Sequence, residues 1–208
     1  MILTQEQKDN LTELINIGFS RAAAALSELT GDRILLEVPK VDVVPVEELG
    51  PRLEPVAEGE VTTVHQLFSG DVSGDAMLIL NRSGALLLTD LLTESEAGTY
   101  SDFSSTVREV LLEVGNIILN SCLGMFGNLL KVHFTFSVPE LQINAVKEML
   151  ATLHSGQSRV DYALLVFMGF SLKEKFISGN LVIVLGVSSL ARLLEKVDKL
   201  DDLMLEES

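Results

Sequence analysis

The chain has 208 residues, of which 47% are hydrophobic and only 5% aromatic, and its formal net charge is −15 at pH 7. This composition predicts a folded protein with an aliphatic core, built as one large domain or two small ones. The acidic balance argues against a nucleic-acid partner, because phosphate binding needs clustered Lys and Arg. We expect partners that are proteins or small molecules.

Neither export nor membrane insertion is expected. Apolar runs such as LLVFMGF are far shorter than the ~18 residues needed to span a membrane, and the opening MILTQEQKDN lacks the layout of a signal peptide. The expected location is cytoplasmic. The single cysteine, Cys122, cannot form an internal disulfide and lies in an apolar helical run, so we interpret it as a small core side chain.

The first half of the chain begins with a long amphipathic pattern. A capping box at Thr4 and Gln7, followed by apolar residues at helical spacing, predicts a helix up to Thr30. A strand should follow and end at Pro39. After a connection containing Pro, Gly and Glu, we predict two strands and a helix, near VTTVHQLF, GDAMLIL and SGALLLTDLL.

The second half, after EAGTYSD, repeats this order of elements. It predicts a helix from about Ser105 to Leu130 and a strand in KVHFTFSV before Pro139. A short helix, two strands and a last helix follow, near INAVKEMLATL, VDYALLVFMGF, ISGNLVIVLG and SSLARLLEKV. Short turns favour antiparallel pairing, so we predict an α+β fold of duplicated helix–strand units with an internal pseudo-two-fold axis. Residues 1–208 should form one domain with pseudo-repeats 1–100 and 101–208.

A polar signature occurs twice, at an offset of one hundred residues. Its members are Glu13, Asn16 and Pro39, and again Glu113, Asn116 and Pro139. Apolar matches in the same register would arise in any two helices with one core pattern. A solvated helix face changes easily, so polar positions kept in both copies indicate a duplication with a retained function.

Each signature lies on a polar stripe of a predicted long helix. Positions three or four residues apart share a helix face, and the stripes are Asp9, Glu13, Asn16, Ser20 and Glu109, Glu113, Asn116, Asn120. A single stripe is usually an ordinary solvated face, but its duplication favours a site. Glu can pair with a cation of a docking protein. The Asn carboxamide donates and accepts hydrogen bonds, as holding a water requires, and a glutamine does this in some GTPases.

At these residues the sequence resembles the CheC/CheX/FliY family of bacterial chemotaxis phosphatases. In that family Asp or Ser is followed by Glu four residues on, Asn three beyond, and Pro after twenty-two intervening residues. The first copy matches at every position, whereas the second has Glu109 where Asp or Ser is usual. Two intact sites in one chain resemble CheC rather than the one-site CheX.

The resemblance implies a phosphatase that acts on a phosphorylated CheY-type response regulator in chemotaxis signalling. Asn16 or Asn116 would orient the attacking water at the aspartyl phosphate, and Glu13 or Glu113 would pair with a lysine of the regulator. The chain would hold no cofactor of its own, because the partner regulator binds the Mg²⁺. The departure at Glu109 implies a weaker second site. The deamidase CheD is implied as a further partner.

Two alternatives to a phosphatase stay open. The middle domains of FliM and FliY resemble the same fold and are structural, signal-binding parts of the flagellar switch. A module that sequesters the phosphorylated regulator without hydrolysing it would use the same stripes. The remaining motifs are interpreted as structural: histidines without metal-ligand spacing, a hairpin turn in SGDVSGD and a solvated tail, DKLDDLMLEES. The histidines are His65, His133 and His154.

Overall fold

The structure is a computed structural model that describes residues 3–53, 59–153 and 161–199. Within these ranges the first half forms α1 (Gln5–Thr30), β1 (Leu35–Pro45), α2 (Leu49–Leu53), β2 (Glu60–Gly70), β3 (Gly74–Asn81) and α3 (Arg82–Leu92). The second half forms α4 (Ser105–Leu130), β4 (Phe134–Phe136), β5 (Glu140–Ala145), α5 (Val146–Leu153), β6 (Asp161–Leu172), β7 (Lys175–Gly186) and α6 (Val187–Val197).

The seven strands in the described ranges belong to one antiparallel sheet. Their order is β1-β6-β7-β3-β2-β4, and β5 also pairs with β2. Strands of the two halves are therefore interleaved within a single sheet. If β2 is matched with β6, β3 with β7, and β1 with β4 and β5 together, exchanging the matched strands gives the same order read backwards. The α+β class with an antiparallel sheet is confirmed, while the two-fold axis and the single domain stay predictions.

Helices cover both faces of the sheet. A large apolar core lies between the sheet and α1, α3, α4 and α6, and a smaller one lies between the sheet and α2 and α5. In β3, Leu78 and Leu80 face the large core, whereas Met77 and Ile79 face the small one. The central strands are continuous apolar runs because both of their faces are buried.

The two long helices have the predicted bounds to within one residue. Thr4 Oγ1 accepts a hydrogen bond from the Gln7 amide, and the Thr4 amide donates to Gln7 Oε1, both at 3.1 Å. Gly31, with φ 74°, ends α1 in the left-handed conformation. The Ser104 hydroxyl caps the start of α4. Local capping signals therefore fix where both helices begin.

Of the helices in the described ranges, α4 is the one long and apolar enough to cross a membrane by length and composition alone. Half of its most apolar segment is buried inside this fold, as in a core helix. Cys122 lies on the buried side of α4, which confirms its interpretation as a core side chain. Burial raises the pKa of its thiol, so it stays protonated at neutral pH.

The prediction that Pro39 ends the first strand is wrong. β1 continues to Pro45, and its pairing with β6 shifts between Glu37 and Lys40. Proline cannot donate to a strand ladder and is tolerated on edge strands and at irregularities of register. β1 is an edge strand, and Pro39 lies within the irregularity, so the strand passes through it.

The predicted bounds between the second long helix and α5 are also wrong. The strand expected in KVHFTFSV is reduced to Phe134–Phe136, and the INA segment expected in a helix forms the end of β5. Pro139 lies between these two strands. β5 pairs with Glu60–His65 of β2, a distant partner that overrides the local helical pattern. The short α2 was likewise not predicted.

Gly115 allows α4 to pack closely on β2. A Cβ at this position would lie 2.5 Å from Val64 Cγ1 and 2.7 Å from its Cγ2. We expect Gly115→Ala to lower the free energy of unfolding, because overpacking costs about 1–3 kcal/mol and the helix propensity of Ala returns only about 1 kcal/mol. Thermal unfolding measures the effect.

Gly124→Ala is the matched control for this substitution. It makes the same change in the same helix, but no described atom lies within 4 Å of the added Cβ. The midpoint of unfolding should rise for Gly124→Ala and fall for Gly115→Ala. A Gly115→Ala midpoint at or above that of the native chain would contradict the close packing of α4 on β2.

Candidate functional site

The first polar stripe lies on the outer face of α1. Its four side chains are exposed, and together with Thr12 and Ile17 they line an open depression of about 490 Å³. The stripe comprises Asp9, Glu13, Asn16 and Ser20. The intervening Leu14 and Ile15 are buried in the large core. Helical spacing thus brings the four predicted residues together at the surface.

The two central groups of this stripe point to solvent without internal partners. At its ends, Gln5 Nε2 donates to Asp9 Oδ1 at 2.9 Å, and Ser20 Oγ donates to the backbone oxygen of Asn16 at 2.8 Å. Within the described ranges, neither the Glu13 carboxylate nor the Asn16 carboxamide forms a hydrogen bond or ion pair. Both groups can therefore bind an incoming molecule without breaking an existing contact.

The second stripe lies on α4 and differs in its asparagines. Glu109 and Glu113 are exposed, as in the first copy, but Asn116 and Asn120 are half-buried. Asn120 Nδ2 donates to Asn116 Oδ1 at 2.6 Å. The second carboxamide is therefore already bonded, whereas its counterpart on α1 is not. Two asparagines four residues apart on a helix can form such a bond, but the sequence analysis did not predict it.

The two helices that carry the stripes pack side by side. A Cβ at Gly18 of α1 would lie 3.0 Å from the Cα of Cys122 in α4, so the two backbones approach closely at this point. Both helices cover the same face of the sheet. A rigid helical layer therefore supports both stripes, which suits groups that must be held in a fixed geometry.

The prolines of the signature lie away from the helices. Pro39 is within β1, and Pro139 lies between β4 and β5. Neither position belongs to a stripe, because each stripe occupies one face of α1 or α4. Each proline was predicted only to follow the strand after its long helix; β1 passes through Pro39, and β4 ends before Pro139.

The other motifs form local structural contacts. His65 Nε2 lies 2.8 Å from Asp75 Oδ1 between β2 and β3. The exposed His133 donates its backbone N–H to Asp71 Oδ2 at 2.9 Å, a bond that lowers the pKa of the Asp71 carboxyl. The turn between β2 and β3 confirms the predicted hairpin. His154 and the tail from residue 200 onward lie outside the described residues.

No metal site is apparent in the part of the chain that the structure describes. Within residues 3–53, 59–153 and 161–199, no three His, Cys, Asp or Glu side chains are grouped so as to hold a metal ion. The centre of each stripe is one carboxylate and one carboxamide, three residues apart on the helix face. Such a pair can bind a cation and orient a water, and any reacting group would come from a bound partner.

Comparison with known proteins finds sequence relatives that are named as phosphatases. No family model matches the chain. It is 28% identical over 145 residues to the putative CheY-P phosphatase CheC1 of Halobacterium salinarum, covering 68% of this chain and 71% of that protein. It is 27% identical over 144 residues to the CheY-P phosphatase CheC of Bacillus subtilis, covering 68% of each.

The flagellar motor switch phosphatase FliY of Bacillus subtilis is also similar in sequence. Identity is 24% over 173 residues, which are 82% of this chain and 43% of FliY. The matched region thus spans less than half of that relative.

Solved structures share the fold over nearly the whole chain. Thermotoga maritima FliY matches with a TM-score of 0.77 at 19% identity, covering 96% of this chain and 99% of that one. The middle domain of Helicobacter pylori FliM matches with a TM-score of 0.64 at 16% identity, covering 93% and 99%. At these identities the likeness concerns the fold alone.

Proposed function

We propose that this chain, which is similar in sequence to CheC and FliY phosphatases and shares the fold of FliY, is a CheC-type protein that dephosphorylates a CheY-type response regulator. The observation that carries this proposal is the exposed pair of Glu13 and Asn16 on α1, whose polar groups have no described partner. Relatives at 24–28% identity are named as phosphatases, two of them acting on CheY-P.

Docking would use the exposed face of α1 that carries the first stripe. An exposed helix face can enter the shallow cleft around a phosphorylated aspartate, and the 490 Å³ depression beside Asn16 leaves room for the partner's loops. Glu13 or Glu113 would pair with a lysine of the regulator. This ion pair would fix the orientation of the helix on the regulator, and with it the position of the asparagine relative to the phosphoryl group.

Hydrolysis would require a water aimed at phosphorus. The carboxamide of Asn16 or Asn116 would hold that water in line with the scissile bond. The water oxygen forms the new bond to phosphorus, and the bond from phosphorus to the aspartyl oxygen breaks with its electron pair going to the carboxylate. The proton released by the water leaves with inorganic phosphate or solvent. Charge on the phosphoryl group would be neutralised by Mg²⁺ bound to the regulator.

The decay of a phosphorylated regulator tests the proposal. A purified CheY-type regulator is phosphorylated with acetyl phosphate, separated from the excess and incubated with Mg²⁺, with and without this chain. The phosphorylated regulator should decay with first-order kinetics, measured as phosphate release, and the rate constant should rise with the concentration of the chain. A rate constant that is the same with and without the chain would refute the phosphatase proposal.

A second candidate function is a non-enzymatic module that binds the phosphorylated regulator. The fold is shared with the FliM middle domain, so the alternative to a phosphatase is a flagellar-switch-like or sequestering role. Saturable binding of the phosphorylated regulator with an unchanged decay rate would support it. The deamidase CheD as a further partner and a cytoplasmic location stay predictions.

A further inference from the structure

The two stripes differ in the residue one helical turn after the signature asparagine. Ser20 and Asn120 each lie four residues after it, on the same helix face. Ser20 Oγ donates to the Asn16 backbone oxygen at 2.8 Å and does not engage the Asn16 carboxamide. Asn120 Nδ2 instead donates to the carboxamide oxygen of Asn116 at 2.6 Å. A side-chain bond therefore exists in the second stripe where the first has none.

Burial holds Asn120 against its neighbour. The Oδ1 atom of Asn120 is buried and has no hydrogen-bond partner in the described part of the chain. Asn116 is half-buried as well, whereas Asn16 is exposed. If both amide groups were turned, Asn116 Nδ2 would donate to Asn120 Oδ1, and one polar atom of Asn116 would again be occupied. Turning only one of them would place two oxygens or two NH2 groups against each other. Releasing Asn116 would leave Asn120 with both ends of its amide unpaired, which is unfavourable for a buried group.

We infer that Asn120 is a positioning residue that restrains the Asn116 carboxamide and makes the second stripe the slower of two phosphatase sites; this rests on the proposed function. A carboxamide that holds a water needs its donor and its acceptor together. The bond from Asn120 occupies one of the two acceptor positions of the Asn116 carbonyl oxygen and fixes the orientation of the amide, so this bond must break before the donor and acceptor of Asn116 can turn together toward a water. A typical hydrogen bond favours the restrained form by about two- to tenfold, so the second site should turn over more slowly by about that factor.

Variants that keep a single site allow kcat to be measured for each site separately. Asn116→Ala leaves the first site and Asn16→Ala leaves the second. Adding Asn120→Ser to Asn16→Ala copies the residue of the first stripe and is expected to raise kcat by about two- to tenfold, with KM little changed. The reciprocal change, Ser20→Asn in Asn116→Ala, should lower kcat by a smaller factor, because position 20 is exposed and burial does not hold the new side chain against Asn16.

Asn128→Ser is the matched control in the Asn16→Ala protein. Asn128 is exposed on α4 and lies outside the stripe, so this variant should leave kcat unchanged. Asn120→Ser removes a buried oxygen without a partner, and its thermal midpoint should therefore not fall. A normal midpoint with a raised kcat separates positioning from a merely structural role.

NMR spectroscopy tests the bond between Asn120 and Asn116 without measuring enzyme turnover. The side-chain amide NMR signals of Asn116 should move on Asn120→Ser and stay in place on Asn128→Ser. Unmoved signals, or an unchanged or lower kcat for Asn120→Ser in an otherwise active protein, would overturn the inference alone. A native chain that does not accelerate decay of the regulator would overturn the proposed function instead.

Discussion

Alanine at both signature asparagines, in the Asn16→Ala/Asn116→Ala variant, is expected to return dephosphorylation of the regulator to its spontaneous rate. The carboxamides are the proposed holders of the attacking water, and a methyl group can neither donate nor accept a hydrogen bond. Positioning is the main source of the rate gain in this mechanism, so we expect at least about a tenfold loss of kcat. The measurement is phosphate release from the phosphorylated regulator in the presence of Mg²⁺.

Binding of the regulator should survive the same double substitution. Both stripes keep their glutamates, and Asn16 is exposed, so its truncation leaves no cavity in the core. Titration with a regulator activated by beryllium fluoride, a stable mimic of the phosphoryl group, should give a dissociation constant within about threefold of the native value. Asn128→Ala on the exposed end of α4 is the control for activity. Full activity in the double variant would exclude the asparagines as the catalytic groups.

The long helices were predictable because their signals are local. Thr4 and Gln7 cap α1 through bonds within one turn, and the apolar period identifies the buried face whatever it packs against. Strand bounds were less predictable. β5 is a strand because β2 lies beside it, and β1 passes through Pro39 because it is an edge strand. Such partners are distant in sequence and cannot be inferred from a local pattern.

The exposure of the predicted stripes follows from helical geometry alone. Glu13 and Asn16 lie opposite the apolar positions of α1, so their place at the surface required no knowledge of the partner elements. Helical geometry did not predict that Asn116 is half-buried and hydrogen-bonded while Asn16 is exposed. This difference depends on the half-buried state of Asn116 and on the rotamer of Asn120, which the packing around α4 decides. The departure at Glu109 is plain in the sequence, yet Glu109 is exposed like its counterpart Asp9.

Reversing the charge of both signature glutamates, in Glu13→Lys/Glu113→Lys, is expected to weaken binding of the regulator by about two- to tenfold. An exposed ion pair contributes about 0.2–1 kcal/mol, and a lysine facing the partner's lysine adds repulsion of similar size. The two effects together approach the 1.4 kcal/mol that corresponds to a tenfold change. Turnover at low regulator concentration should fall with binding, whereas kcat at saturation should fall less.

The salt dependence of the dissociation constant distinguishes a specific pair from a general change in charge. Screening weakens exposed ion pairs, so the native chain should lose affinity as salt rises, while the reversed variant should lose little or gain. Glu28→Lys/Glu148→Lys makes the same change in net charge at two exposed positions outside the stripes. Glu28 lies about 22 Å along α1 from Glu13, at roughly 1.5 Å per residue. An equal loss of affinity in both double variants would mean that net charge, and not the pairing of Glu13 or Glu113 with the partner's lysine, governs docking.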